Sequence, residues 1–409
     1  MNAFTISAPG KITLCGEYGE MYGKKVVAAS IDLRTTLKFD EISSLTDIEI
    51  EFPDVDISLI VPLEKIQNLT TSKNYNYLVE NYILFIKHVQ YFITINGWWK
   101  TFSQRFTLQT FFFLLMYIAH HEQFVIRPFR VHVTTDLIMN TSLGSSTSFA
   151  VCLAACFVRW ARLQRDDHTK FTQLELQNIS KFAMFSEEVI RDFIFNRDRD
   201  VCVHGHAVSF RYREHLDNDT EILSAQEMDV LLVDSNIRQN KLDYVTKMYF
   251  GKMATERHLS SNFMDNFLNM FDFFNITNIF NIIVNLNIID DISQKVASAL
   301  SEIENGHRDN NLPLVESSYK VLQRNIELNQ NVLWKLNLSH TKFDTICKIA
   351  KRHGFTGKMT GIGAAYVLIL LPPNIPKEII DNLTSDLSKQ GFASKKTKIC
   401  GSGLRIEQE

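Results

Sequence analysis

Three short segments carry residue types that could hold a phosphate and help to move it. The first is Leu143-Gly144-Ser145-Ser146-Thr147-Ser148, which follows a strand pattern and opens a helical one. Hydroxyl side chains favour helix N-termini because they satisfy N–H groups that lack an intrahelical partner. The same terminus offers an anion its N–H groups and the positive end of the dipole. One glycine and four hydroxyl residues would let backbone and side chains wrap a phosphate, with one hydroxyl reaching Mg2+; a plain Ser/Thr cap is the alternative. The second segment, Lys358-Met359-Thr360-Gly361-Ile362-Gly363-Ala364-Ala365, leads into an apolar strand pattern. Two glycines there permit a tight turn whose N–H groups could line a polyphosphate, or simply a helix-to-strand connection. The third, Ser7-Ala8-Pro9-Gly10-Lys11 with Gly16-Glu17 just after it, sets a lysine beside a turn dipeptide, as a fixed positive charge or a solvated one.

Patterning shows what must position these segments. Phe4 to Ser7 reads as a strand, Pro9-Gly10 as a turn, Ile12 to Cys15 as a second strand and Gly16 to Gly23 as a loop. Val26 to Ser30 and Leu33 to Phe39 follow as strands, and Phe129 to Thr134 as another. Helical spacing runs from Asn74 to Phe92, Thr107 to His120, Ser145 to Arg162 and Phe171 to about Asp192. A polar stretch from Glu214 to Glu227 precedes a strand, Val230 to Asp234, and is the natural place for a domain change. Beyond it come helical segments (Lys241 to His258, Asp290 to Asn305, Val315 to Leu333, Thr341 to His353) and a strand, Ala365 to Leu371, which Pro372-Pro373 ends. Helices and strands mix without strict alternation, which favours an α+β chain.

Composition narrows the function classes. The chain has 409 residues, long enough for more than one domain. Its apolar content of 45% and charged content of 22% exclude wholesale disorder. A net charge of −3 provides no bulk attraction to nucleic acid or to an anionic membrane. Six cysteines (Cys15, Cys152, Cys156, Cys202, Cys347, Cys400) form no CxxC pair, so neither a disulfide framework nor a zinc ribbon is expected. Cys152 and Cys156 would share one helix face as reduced core thiols. The apolar stretch Phe106 to Ala119 is shorter than the ~20 residues a bilayer span needs and carries Thr107, Gln109 and Thr110, so it reads as a buried helix. With no secretory signal pattern in MNAFTISAPGK, a cytoplasmic location is the expectation.

Taken in this order and at these intervals, the three segments resemble the GHMP kinase superfamily of small-molecule kinases, on its mevalonate-phosphorylating branch. SAPGKITLCGEYGEMYGKKVVAASIDLRTTL is similar to that branch's opening segment; LGSSTSFAVCLAA is similar to its Mg-ATP loop and helix; KMTGIGAAYVLILL is similar to its third motif. Asn329-Gln330, Ser339-His340, VLLVDSNIRQN and the ending ICGSGLRI are lesser echoes, so the resemblance spans residues 5 to 406. It implies a two-domain GHMP kinase fold. Residues 1–225 would form an N-terminal domain with a left-handed βαβ unit, and 226–409 a C-terminal ferredoxin-like domain whose last strand could return to the first. It also implies ATP and Mg2+ as cofactors, mevalonate as the small-molecule substrate and room for a homodimer.

By position, the resemblance makes Lys11 the lysine that contacts substrate hydroxyl and aspartate, and Ser146 the Mg2+-coordinating serine. Glu187 falls on the metal-binding glutamate and Asp198 on the catalytic aspartate, with Asp200 the competing base. Asn140, Ser142, Leu143, Gly144, Ser145, Ser146 and Thr147 would cradle the nucleotide, and Glu17, Tyr18, Thr360 and Gly361 would join Lys11 and Asp198 around the substrate. The chain also departs from the pattern. Asn140 and Ser142 stand where the phosphate loop has glycines, its proline is absent, GIGAA replaces GAGGGG, and Tyr18 replaces a histidine. Asn140 tolerates positive φ; Ser142 and Ala364 fit comfortably only where φ is negative. The segment before Asp198 brings Arg191, Arg197 and Arg199, a solvated basic loop or a phosphate-binding cluster that would suit a pre-phosphorylated substrate. The thinned glycines keep open a protein of this fold that binds a ligand without turnover.

Overall fold

The computed structural model describes residues 2–43, 46–139, 141–166, 168–188, 198–211, 219–238, 276–361 and 365–407. Two long antiparallel strands, β1 (Ala3–Cys15) and β2 (Lys25–Glu41), form the spine. The turn expected at Pro9-Gly10 is instead a register shift inside β1: proline supplies no N–H to the ladder, and the strand kinks there without ending. Likewise the two strands expected between Val26 and Phe39 are one, since β2 pairs with β1 along nearly all of its length.

The helical segments carry their own starting signals. After β3 (Asp47–Phe52) and β4 (Ile57–Pro62) come α1 (Leu63–Thr70), α2 (Tyr75–Glu80) and α3 (Tyr82–Ile95). The single helix expected from Asn74 to Phe92 breaks at Asn81, whose extended backbone lets its side chain cap α3 through the Leu84 N–H. Helix α4 (Phe102–Glu122) opens with a reciprocal Thr101/Gln104 capping box and buries every residue from Thr107 to Ile118, as the apolar stretch required. Strand β5 (Phe129–Thr135) leads to α5 (Ser145–Leu163), then α6 (Gln173–Glu188), α7 (Asp198–His204), β6 (Ala207–Arg211), β7 (Asp219–Leu223) and β8 (Met228–Asp234). The polar stretch before β8 therefore contains a strand, β7, hydrogen-bonded to β6. The chain continues with α8 (Ile276–Arg308), α9 (Leu312–Lys335), α10 (Thr341–Arg352), β9 (Thr356–Met359), β10 (Tyr366–Leu370), α11 (Lys377–Lys389), β11 (Ser394–Ile399) and β12 (Arg405–Glu407). The helix expected at 241–258 lies outside the described residues.

These strands join in one mixed sheet, in the order β4-β3-β5-β2-β11-β8-β10-β9, with β1, β12, β6 and β7 attached through β2. Most neighbours are antiparallel, and β3 with β5 is a parallel pair. The last strand returns to the first: β12 pairs with β1, setting Ile406 opposite Ile6. Arg34 fixes that return, its Nε donating to Ser7 Oγ at 2.7 Å and its terminal nitrogens to the carbonyls of Ser7, Ser402 and Gly403.

Helix α5 lies against β1, β2, α4 and α6, inside the largest apolar cluster. It is also the one described helix long and apolar enough to cross a membrane, and most of it is buried in this core. Cys152 and Cys156 are both buried free thiols on it, as expected. A second cluster packs α8 and α9 under β1, β2, β8 and β10, and a third packs α10 and α11 on the far face of β8 to β10.

Candidate active site

Helix α5 does not begin with a hydroxyl cap. Its N-cap is Gly144, at φ +81°, which has no side chain with which to cap the helix. A glycine cap gives the first-turn N–H groups no side-chain oxygen, an arrangement that an anion completes. The turn is pressed onto β1: Lys11 N–H donates to Leu143 O at 2.8 Å, and a Cβ on Gly144 would stand 2.9 Å from Lys11 Cγ. Only glycine lets the turn ride on the lysine stem. The Lys11 side chain is buried, with Nζ 3.5 Å from Thr13 Oγ1.

Behind the first turn of α5, Thr147 Oγ1 donates to Glu187 Oε1 at 2.9 Å, and both residues are buried. This contact ties the end of α6 to the segment holding Ser146. Asp198 is the first residue of α7; its side chain, like Asn140, Arg191 and Arg197, lies outside the described residues. The competing base, Asp200, is buried and turned toward α6, where Ser180 Oγ donates to its Oδ1 at 2.6 Å. Arg199 is buried too, so it is not part of a solvated loop.

The third motif arrives from the other end of the chain. Thr360 Oγ1 bonds both the N–H of Thr13 (3.0 Å) and its carbonyl (3.1 Å), clamping β1 two residues beyond Lys11. Gly361, at φ +77°, leaves only 2.9 Å between a would-be Cβ and Ser142 Cβ, so it touches the turn before α5 directly. Ser142 is itself at φ +63°, a backbone that glycine adopts freely and serine does not. The condition under which serine would fit comfortably here, a negative φ, is not met: the turn keeps its left-handed shape and carries the strain. Ala364 lies outside the described residues.

Glu17 and Tyr18, expected around the substrate, are placed behind this surface. The Glu17 carboxylate is fully buried, paired with Lys358 Nζ through one oxygen and with Asn329 Nδ2 at 2.9 Å through the other. Tyr18, at φ +63° and 1% exposed, packs in the third apolar cluster. A carboxylate with both oxygens engaged and no exposure braces a site rather than lining it. Gln330 belongs to the same support, accepting from Met359 N–H at 2.9 Å and donating to Ser339 Oγ at 2.9 Å. Lys358 was legible only as part of the third motif, because nothing local says that a lysine before a glycine turn will be buried.

No family profile matches the chain. Full-length relatives do: it is 24% identical to the mevalonate kinase of Homo sapiens over 98% of this chain and 94% of that one. Among solved structures, mevalonate kinase from Methanococcus jannaschii superposes with a TM-score of 0.61 at 15% identity, covering 100% of this chain and 99% of that one. The L. major mevalonate kinase, solved in complex with R-mevalonate, gives 0.60 at 11% identity over 98% and 97%. The chain thus has the fold of these kinases and resembles curated mevalonate kinases along nearly their whole length.

Proposed function

We propose that the chain transfers the γ-phosphoryl group of ATP to the 5-hydroxyl of mevalonate. Phosphoryl transfer asks a protein for position and charge more than for covalent chemistry. The observation that carries the reading is the meeting of three distant motifs at one turn, with Lys11 under Gly144 and Gly361 against Ser142. On this reading the N-terminus of α5 cradles the phosphates. Asp198 accepts the hydroxyl proton, and Lys11 favours the ionised acid and the developing alkoxide; a positioned base commonly contributes about 10²–10⁴-fold in rate.

The oxygen donors near Thr147 suit Mg2+, which takes one or two carboxylates and completes its shell with phosphate and water. Ser146 and Glu187 would hold it. When bound, the ion neutralises charge on the phosphates. We place the division of labour near residue 225, with Lys11, Ser146, Glu187 and Asp198 on one side and Thr360 and Gly361 on the other. The test is ADP release over a panel of mevalonate, phosphomevalonate, galactose and homoserine. Mevalonate as the sole good acceptor supports the reading; a better rate with any other acid or sugar, or no turnover at all, overturns it.

A further inference from the structure

We infer that Lys358 is a positioning residue for Lys11, acting through a buried brace on Thr13. An ammonium group has three N–H donors, and here all three are matched. Nζ donates to the carbonyls of Thr13 (3.1 Å) and Met359 (2.6 Å) and to Glu17 Oε1. The side chains of Lys358 and Glu17 have no solvent exposure, and Asn329, also fully buried, holds the remaining Glu17 oxygen. One cation thus ties strand β1, the loop that follows it, strand β9 and helix α9 to a single point.

That point is next to the chemistry. The Thr13 peptide is gripped twice, by Lys358 at its carbonyl and by Thr360 at both its N–H and its carbonyl. Along a strand, residues two apart face the same side, so Thr13 stands beside Lys11, and its hydroxyl is 3.5 Å from Lys11 Nζ. The same β9 segment runs on into Gly361, which sets the spacing to the phosphate turn at Ser142. The brace therefore fixes the Thr13 hydroxyl beside the Lys11 ammonium and carries Gly361 against the turn before α5. A guanidinium could not replace it, because its donors spread in a planar fork and do not converge on three acceptors around one nitrogen.

This inference rests on the phosphotransfer reading for its kinetic readout, but not for its structural one. Three variants test it: Lys358→Met, the double Glu17→Gln/Lys358→Met, and Thr360→Val. The double variant removes both buried charges, so it restores folding if the single variant is unstable. Folding is followed by thermal melting, and the Lys11 environment by the rate of its acetylation with acetic anhydride, read by peptide mass spectrometry. The folded variants are expected to acetylate Lys11 at an altered rate and to lose about tenfold to a hundredfold in kcat. Lys358→Arg is expected not to rescue either readout. Wild-type kcat together with wild-type Lys11 acetylation in any folded variant overturns the proposal, because a purely structural pair would give that result. If the wild-type protein releases no ADP with mevalonate, the functional reading fails while Lys11 acetylation still decides the brace.

Discussion

The contact between Gly361 and Ser142 yields a prediction whose size follows from the geometry. In Gly361→Ala, the new Cβ meets Ser142 Cβ at 2.9 Å and Ser142 O at 3.2 Å, on a backbone at φ +77°. The left-handed conformation costs an alanine roughly 1–2 kcal/mol. Overpacking adds about 1–3 kcal/mol. The single variant should therefore lose about 2–5 kcal/mol of stability. In Ser142→Gly, relief of strain at φ +63° is offset by the extra freedom of the unfolded chain, and the net change stays within about 1 kcal/mol. Combining the two removes the Cβ–Cβ clash but not the conformational cost, so the double variant recovers about 1–2 kcal/mol relative to the sum of the singles. Urea unfolding of the four proteins measures this cycle. Additivity within about 0.5 kcal/mol would show that the two turns do not touch and would refute the convergence of the motifs.

Further outcomes follow from the same contacts. Lys11→Met keeps the alkyl stem under Gly144 and removes the charge; ADP release should fall about 10²–10³-fold with the melting temperature nearly unchanged. Asp200→Asn weakens the bond from Ser180 and should cost about 1–3 kcal/mol in urea unfolding while turnover persists. At Glu175, burial opposes ionisation, but hydrogen bonds from the Thr172 N–H, Arg162, His168 and the Thr172 hydroxyl outweigh it and hold the carboxyl at about 2. Its stabilisation is complete above the ordinary value of 4.5 and is lost as pH falls toward 2. Unfolding free energies from urea titrations between pH 5 and 2 should thus fall less steeply in Glu175→Gln than in the wild-type protein.

How far the sequence could be read depended on how local each signal was. Helix α5, the buried α4 and the apolar strand β10 were legible because periodicity and flanking glycine or proline mark such elements within a few residues. The breadth of β2 was not, since its pairing with β1, β5, β6 and β11 is set by partners up to hundreds of residues away. At the site, motif order brought out Lys11, Ser146 and Gly361 together. The burial of Glu17 was not legible, because a GE dipeptide says nothing about Lys358 and Asn329, the two groups that pair with it. Nor was the backbone of Ser142: the sequence shows a serine where glycine is usual, whereas its left-handed turn is held between the Leu143 carbonyl bonded to Lys11 and Gly361 on its flank.

Lys11, the turn at Gly144 and the acid at position 198 are proposed to serve one phosphoryl transfer. The most direct measurement is the single-turnover rate of 5-phosphomevalonate formation, read by mass spectrometry, for the wild-type protein and for Asp198→Ala, with ATP affinity measured in parallel. The expected result is product from the wild-type protein, a rate about 10²–10⁴-fold lower in Asp198→Ala, and equal ATP binding by both. Product formation by Asp198→Ala at the wild-type rate would contradict it.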